Sequence, residues 1–303
     1  MFENEKHVSK GGLKVFQKIL YPTDFSEYAE KLAGALDEFT KAGLKEVVLT
    51  HIVDFRIARG MAKEFEKQAV KKLTRIKEQL EKKGIKAKVR VRTGIPFVEI
   101  VELARKEKVS MILMGSHGKS LVRQMRLGST SENVLCYAPV PLLIFRLKMV
   151  KSGRPIKFIY REILRKILLP TDFSDCARKA LEYAKKLGEA GIKEAVIMHV
   201  RDVRIHMPEI MKKLPEKEQT DTQNLKTIRR ELEASGIKTK TLLVNGVPFV
   251  EINKAAEREN ASLIIMGSHG RSMVDEMLVG SVCGQVVRYA TKPVLIIRRN
   301  MQK

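Results

Sequence analysis

Apolar and polar positions along this chain fall into two rhythms that take turns. Short apolar runs at Lys18–Tyr21, Glu46–Val53, Lys86–Arg92, Ser110–Met114 and Val140–Arg146 have the length and β-branched content of strands. Between them, segments near Ser26–Lys41, Ala62–Lys83, Pro96–Glu107 and Ser129–Tyr137 carry the spacing of amphipathic helices. Ser26 and Ser174 stand at N-cap positions, and Pro96 and Pro248 fall in first helical turns, where a missing N–H is tolerated. Strands alternating with helices predict an α/β fold with a parallel sheet, right-handed crossovers and helices on both faces.

The pattern occurs twice. Ile19-Leu20-Tyr21-Pro22-Thr23-Asp24-Phe25-Ser26 returns as Ile167-Leu168-Leu169-Pro170-Thr171-Asp172-Phe173-Ser174, and Gly94-Ile95-Pro96-Phe97 returns as Gly246-Val247-Pro248-Phe249. The offset grows from 148 to 152, so the second copy carries four extra residues between His199 and Gly246. A period this long predicts two similar domains, since solenoid repeats run about 20–50 residues. The expected layout is a flexible extension at 1–13, a domain at 14–147, a linker at 148–164 and a domain at 165–303.

Candidate chemistry concentrates after the fourth strand of each copy. Met114-Gly115-Ser116-His117-Gly118 recurs as Met266-Gly267-Ser268-His269-Gly270, and the pairs Gly128-Ser129 and Gly280-Ser281 follow later at equal spacing. Glycines at the end of a buried strand and the start of a helix bring bare backbone N–H groups to a phosphate. Gly118-Lys119-Ser120 mimics the end of a P-loop, but Leu113 stands where that motif needs glycine and Arg271 replaces the lysine. The dinucleotide fingerprint is also missing after the first strand of either copy.

What fits without a break is G-x2-G-x9-G-S in both halves. With the Pro-Thr-Asp-Phe-Ser block and the Ile-Pro-Phe or Val-Pro-Phe helix start, the chain resembles the universal stress proteins in their tandem form, from Lys14 to Arg299. That resemblance implies two five-stranded parallel sheets of order 3-2-1-4-5, with adenine nucleotide, ATP or AMP, at the carboxyl ends of strands one and four. Ligands of open α/β sheets generally occupy that crevice. Met114, Gly115, His117, Gly118, Gly128, Ser129 and Thr130 would surround ribose and phosphates in the first copy. Met266, Gly267, His269, Gly270, Gly280, Ser281 and Val282 would do so in the second. Pro22, Thr23 and Asp24, matched by Pro170, Thr171 and Asp172, would lie by the adenosine, with Ile52 and Val200 on the adenine face.

Each role has a plainer alternative. The glycines would free space for ligand, and Ser129 and Ser281 offer hydroxyl and N–H. Asp24 and Asp172 also suit a turn and a helix N-terminus, and as the motif carboxylates they are where Mg²⁺ would accompany ATP. Ile52 and Val200 read equally as core. His117 and His269 offer an N–H to phosphate or are spacers facing solvent. His51 and His199 end apolar strands as satisfied structural histidines. No second ligand lies at metal-binding spacing from either motif histidine.

The copies differ where phosphates would lie. Residues 119–127 carry three positive charges, whereas residues 271–279 carry one positive and two negative. A capping box is readable at Ser129-Thr130-Ser131-Glu132 and is lost in the second copy at Gly284. The first site is therefore expected to tolerate a triphosphate better than the second.

The net charge of +23 divides evenly, with 29 basic and 17 acidic groups in residues 1–150 and 29 and 18 in the remainder. Attraction to polyanions at low salt follows, but Trp is absent and no aromatic-rich strand or zinc-finger spacing appears, so no specific nucleic-acid partner is expected. The three cysteines, Cys136, Cys176 and Cys283, suggest neither a disulfide framework nor a zinc site. No apolar run is long enough for a membrane span, and the polar start favours a cytoplasmic protein. The fifth strands would be exposed apolar edges in isolated domains, so the lobes are expected to pair through them; a homodimer of whole chains stays open. Three functions compete: a nucleotide-binding regulator of the universal stress type, a slow ATP hydrolase on the same fold, and a polyanion-binding scaffold with vestigial sites. No nucleophile–base pair or G-x-S-x-G elbow favours efficient catalysis.

Overall fold

The computed structural model describes residues 16–26, 29, 32–40, 42–58, 60–116, 127–145, 162–204, 214–270 and 279–298. Lobe one contains β1 (Lys18–Pro22), β2 (Glu46–Asp54), α1 (Phe55–Ala58), α2 (Ala62–Glu81), β3 (Lys86–Gly94), α3 (Pro96–Lys106), β4 (Met111–Gly115), α4 (Ser129–Tyr137) and β5 (Leu142–Phe145). Lobe two repeats the series as β6 (Lys166–Pro170), α5 (Asp175–Glu189), β7 (Glu194–Asp202), α6 (Leu214–Ala234), β8 (Lys238–Gly246), α7 (Pro248–Arg258), β9 (Leu263–Gly267), α8 (Ser281–Tyr289) and β10 (Val294–Ile297). The strands form one ten-stranded sheet, β3-β2-β1-β4-β5-β10-β9-β6-β7-β8. Each half has the expected 3-2-1-4-5 order and is parallel throughout.

Alternation along the strands builds a core on each face. Ile19, Tyr21, Val47 and Leu49 point to one side with Leu73 and Leu80 of α2 and Leu181 and Leu187 of α5. Leu20, Val48 and Ile112 point to the other, where α3, α4, α7 and α8 supply Leu103, Val134, Ile252 and Val286. The outer edges, β3 and β8, carry Lys86, Lys88, Arg90 and Arg92, and Lys238 and Lys240. Charged side chains there discourage further strands from adding on, which gives part of the basic excess a structural use.

At the centre, β5 meets β10 antiparallel, with Leu142 opposite Ile296, Leu143 opposite Leu295 and Ile144 opposite Val294. Arg288 of α8 reaches Glu132 of α4 at 2.8 Å. Arg298 is buried, and its Nη1 donates to the Leu135 carbonyl at 3.3 Å. Desolvation lowers its pKa.

Two expectations need correction. The first helix of lobe one is irregular: Ala29, Leu32 and Ala33 are helical, and a 3₁₀ segment follows at Gly34–Phe39. Gly34 stands where α5 has Glu182, a weak helix former against a good one. The Tyr21 hydroxyl also donates to the Ala29 carbonyl, drawing that turn toward the sheet. The capping box does not form either. Gly128 is the N-cap of α4, so Ser129 is already inside the helix, and Glu132 is turned to Arg288. The expected extension at 1–13 lies outside the described residues, as does most of the linker.

Candidate functional site

The Pro-Thr-Asp-Phe-Ser block leaves β1 and β6 as the same tight turn. In lobe two the Thr171 Oγ1 accepts from the Phe173 N–H at 3.0 Å, and Asp172 Oδ1 accepts from the Ser174 N–H at 3.1 Å and its hydroxyl at 2.6 Å. Lobe one repeats the set at 3.1, 3.1 and 2.7 Å. The Asp side chain thus takes the place of a backbone turn, and one carboxylate oxygen in each lobe is committed to it. The turn holds Phe25 and Phe173 at φ of 59° and 63°, a left-handed conformation that bulky residues rarely adopt. Each ring is held against a histidine, His51 or His199, with centroids 4.5 and 4.6 Å apart.

Those histidines are structural, as the plainer reading expects. His51 Nδ1 donates to the Thr23 carbonyl at 2.8 Å and His199 Nδ1 to the Thr171 carbonyl at 2.7 Å, closing strand two onto the turn. In lobe two, Asp221 lies 3.7 Å from His199 Nε2 and 3.1 Å from Arg201 Nε.

A cleft of about 380 Å³ opens beyond that turn at the carboxyl ends of β6, β7 and β9. Pro170, Thr171, Asp172, Val200, Met266, Gly267, His269, Gly270, Gly280, Ser281 and Val282 all line it, so every candidate of the second copy is brought to one place. The wall also includes Met198, His199, Asp202, Pro248, Ile252, Ser268, Ala177 and Cys283, which were not among the candidates. Pro248 and Ile252 belong to the repeated helix start and Ala177 recurs as Ala29, so their recurrence was a usable signal; Met198, matched by Thr50, carries none. In lobe one, Thr23, Ile52 and Met114 are buried, while Pro22, Asp24, Gly115, Gly128 and Thr130 are partly exposed and Ser129 is exposed. His117 and Gly118 lie outside the described residues, as do residues 119–126 and 271–278, on which the charge difference between the copies rests.

The first turn of α8 faces the cleft through Gly280, Ser281 and Val282. Its N-cap, Gly280, has no side chain to cap the turn, and the first intrahelical bond runs from the Gly284 N–H to the Gly280 carbonyl at 2.9 Å. Uncapped N–H groups and the positive end of the helix dipole favour an anion there. Apolar Met198, Val200, Ile252 and Met266 line the same cleft. Such a cleft suits a molecule with a flat apolar part and an anionic end.

The glycines also serve packing within the lobe. A Cβ on Gly267 would lie 2.9 Å from the carbonyl carbon and sulfur of Cys176, one on Gly270 2.8 Å from Asp172 Oδ2, and one on Gly280 3.3 Å from the Ser268 carbonyl oxygen. They let β9, α5 and the α8 loop close on one another while they line the cleft. The solvent-facing alternative for His269 is also overturned. It is buried, and its Nδ1 lies 2.6 Å from the Ser268 Oγ. Ser268 is fully buried beside Cys176, whose sulfur donates to the Ile297 carbonyl at 3.3 Å.

All three cysteines are free. Burial pushes the Cys283 thiol up to about 12, so it stays protonated. No group of three potential metal ligands occurs among the described residues.

Comparison with known proteins bears on the family and the fold. The universal stress protein family model matches residues 16–146 and again 164–298. The chain belongs to the universal stress protein family. A universal stress protein of Methanocaldococcus jannaschii is 38% identical over 157 residues, covering 44% of this chain and 97% of that protein. One from Synechocystis is 25% identical over 283 residues, 93% of this chain and 89% of its own. The crystal structure of a universal stress protein from Archaeoglobus fulgidus superposes with a TM-score of 0.72 at 30% identity, covering 93% of this chain and 96% of that one. The tandem arrangement is therefore shared along nearly the whole length. Among the described residues no helix of this universal stress protein is long and apolar enough to cross a membrane.

Proposed function

We propose that this universal stress protein binds an adenine nucleotide, ATP or AMP, in each lobe and serves as a regulator read through its occupancy, with any hydrolysis slow. The observation that carries the reading is the lobe-two cleft of about 380 Å³, whose lining combines apolar side chains with the uncapped start of α8. The base would lie against Met198, Val200 and Ile252, the phosphates at Gly280, Ser281 and Val282, and the ribose near Asp172. Asp172 holds Ser174 through its Oδ1 and lines the cleft, where its carboxylate would meet a ribose hydroxyl or Mg²⁺ accompanying ATP. Of the two carboxylates in the wall, Asp172 is tied to the turn and Asp202 is paired with Arg204, which gives little basis for efficient phosphoryl chemistry.

Lobe one is assigned the same ligand by the repeat, with the triphosphate preferred there. The domain limits 14–147 and 165–303 belong to this reading and are supported by the family match. So does a stable internal pairing of the lobes, supported by the β5–β10 register.

Mass spectrometry of nucleotide released on denaturing the purified protein should find an adenine nucleotide, and calorimetric titration of emptied protein with ATP and AMP should show two sites. Equal ATP affinity in the two lobes would remove the triphosphate preference, and no binding at either would remove the proposal. A sustained turnover of ATP would favour the hydrolase. Salt-dependent DNA binding indifferent to nucleotide would favour the scaffold.

A further inference from the structure

A second cavity, of about 320 Å³, opens in lobe two behind the turn that bears Asp172. Leu169 of β6, Ala177 and Leu181 of α5, Asn224 and Ile228 of α6, and Phe173 form its walls. It shares Thr171 and Ala177 with the larger cleft, so the two spaces lie on either side of one wall.

Lobe one shows what ordinarily fills this space. The counterpart of Leu169 is Tyr21, at the same step of the repeat, fully buried, with its hydroxyl donating to the carbonyl of Ala29. Ala29 is the counterpart of Ala177. Asn224 replaces Lys72, whose Nζ lies 5.0 Å from the centre of the Phe25 ring, the counterpart of Phe173. Lobe two has thus lost a phenol ring and a lysine stem from one spot. Leu181 in place of Ala33 returns some volume, and the cavity persists.

We propose that this cavity binds a small monocyclic phenol, which takes the place held in lobe one by the Tyr21 side chain. The ring packs on Leu169, Leu181 and Ile228 and against Phe173. The hydroxyl donates to the Ala177 carbonyl, whose second lone pair remains available within a helix. The volume suffices, since a cavity of about 150 Å³ holds a benzene ring. The site does not depend on nucleotide binding in the neighbouring cleft.

The test is ligand-observed NMR titration of the full chain with phenol and 4-fluorophenol, with saturating ATP present. One equivalent should bind with a dissociation constant on the order of 0.1–1 mM, within reach of a seven-atom ligand. Leu169→Tyr restores the lobe-one filling and should weaken binding at least about tenfold. If that variant does not fold, Tyr21→Leu with Lys72→Asn should instead raise the stoichiometry from one to two. No saturation up to about 10 mM phenol, undiminished binding in folded Leu169→Tyr, or an unchanged stoichiometry in the double variant would overturn the proposal. Displacement of phenol by ATP would also overturn it, because the phenol would then occupy the larger cleft.

Discussion

Replacing Ser281 by proline separates nucleotide binding from stability at a single backbone atom. Ser281 is the first residue of α8, and Gly280 before it has φ −57° and ψ 142°. Both fit proline, which is favoured at the first helical position and requires an extended residue before it. The fold should therefore tolerate Ser281→Pro, with a change in stability within about 1 kcal/mol of either sign. Binding should not. The substitution deletes one N–H and one hydroxyl at the place assigned to phosphate. Hydrogen bonds to charged groups contribute about 1.5–3 kcal/mol each, so losing one or both weakens ATP at least about tenfold. Calorimetry should then show one strong ATP site instead of two, while the thermal midpoint without nucleotide stays nearly constant. The lobe-one partner Ser129→Pro is equally permitted, since Gly128 has φ −63° and ψ 144°. Two undiminished ATP sites in Ser281→Pro, with the helix intact by circular dichroism, would refute the placement of phosphate at α8. Gly267→Val is a poorer probe, because its side chain would meet Cys176 before any ligand.

Further outcomes follow from the same geometry. Gly267→Ala should destabilise the nucleotide-free protein by about 1–3 kcal/mol through overpacking on the Cys176 backbone, read as a lower urea midpoint; an unchanged midpoint with lost binding would return that glycine to the ligand. Gly246→Ala should cost less, because the atom it meets at 2.6 Å is the Cγ of the flexible Glu251 side chain. Tyr21→Phe should lose about 0.5–1.5 kcal/mol, the worth of its buried hydrogen bond to the Ala29 carbonyl. Lys18, at 2.8 Å, and then Arg90 hold Glu107 below its ordinary value of 4.5 against desolvation, and only 11% of its side chain is exposed. Its contribution is present above about pH 4.5 and fades as pH falls through the lowered folded value. Glu107→Gln should flatten the acid limb of stability against pH, and an acid limb of unchanged slope would count against the pairing.

The strands and most helices were legible because burial imposes its period directly on the residues, as at Leu20 and Val48 against Ile19 and Val47. The repeat then made the site legible, because Asp172, Gly270 and Ser281 are far apart in sequence yet recur at fixed offsets in the two copies. What escaped depends on contacts across the fold. No local pattern says that Cys176 occupies the space beside Gly267, or that Ser268 holds His269. The capping box at Ser129–Glu132 failed for a related reason. The local pattern was right in composition, but an arginine 156 residues away in the chain takes the glutamate. The irregular first helix reflects Gly34 and the reach of Tyr21, and only Gly34 is visible locally.

The antiparallel junction of β5 and β10 has a directional consequence. Strands within each lobe run parallel, so crossing that junction reverses their sense, and the carboxyl ends of the two halves emerge on opposite flanks of the sheet. The two crevices in which we propose nucleotide binding therefore look away from each other. If each lobe holds nucleotide as proposed, a partner protein docked over one crevice has no line of approach to the other, and each lobe would be sensed by its own surface. On that proposal, two reports would leave one molecule at the same time, on opposite sides.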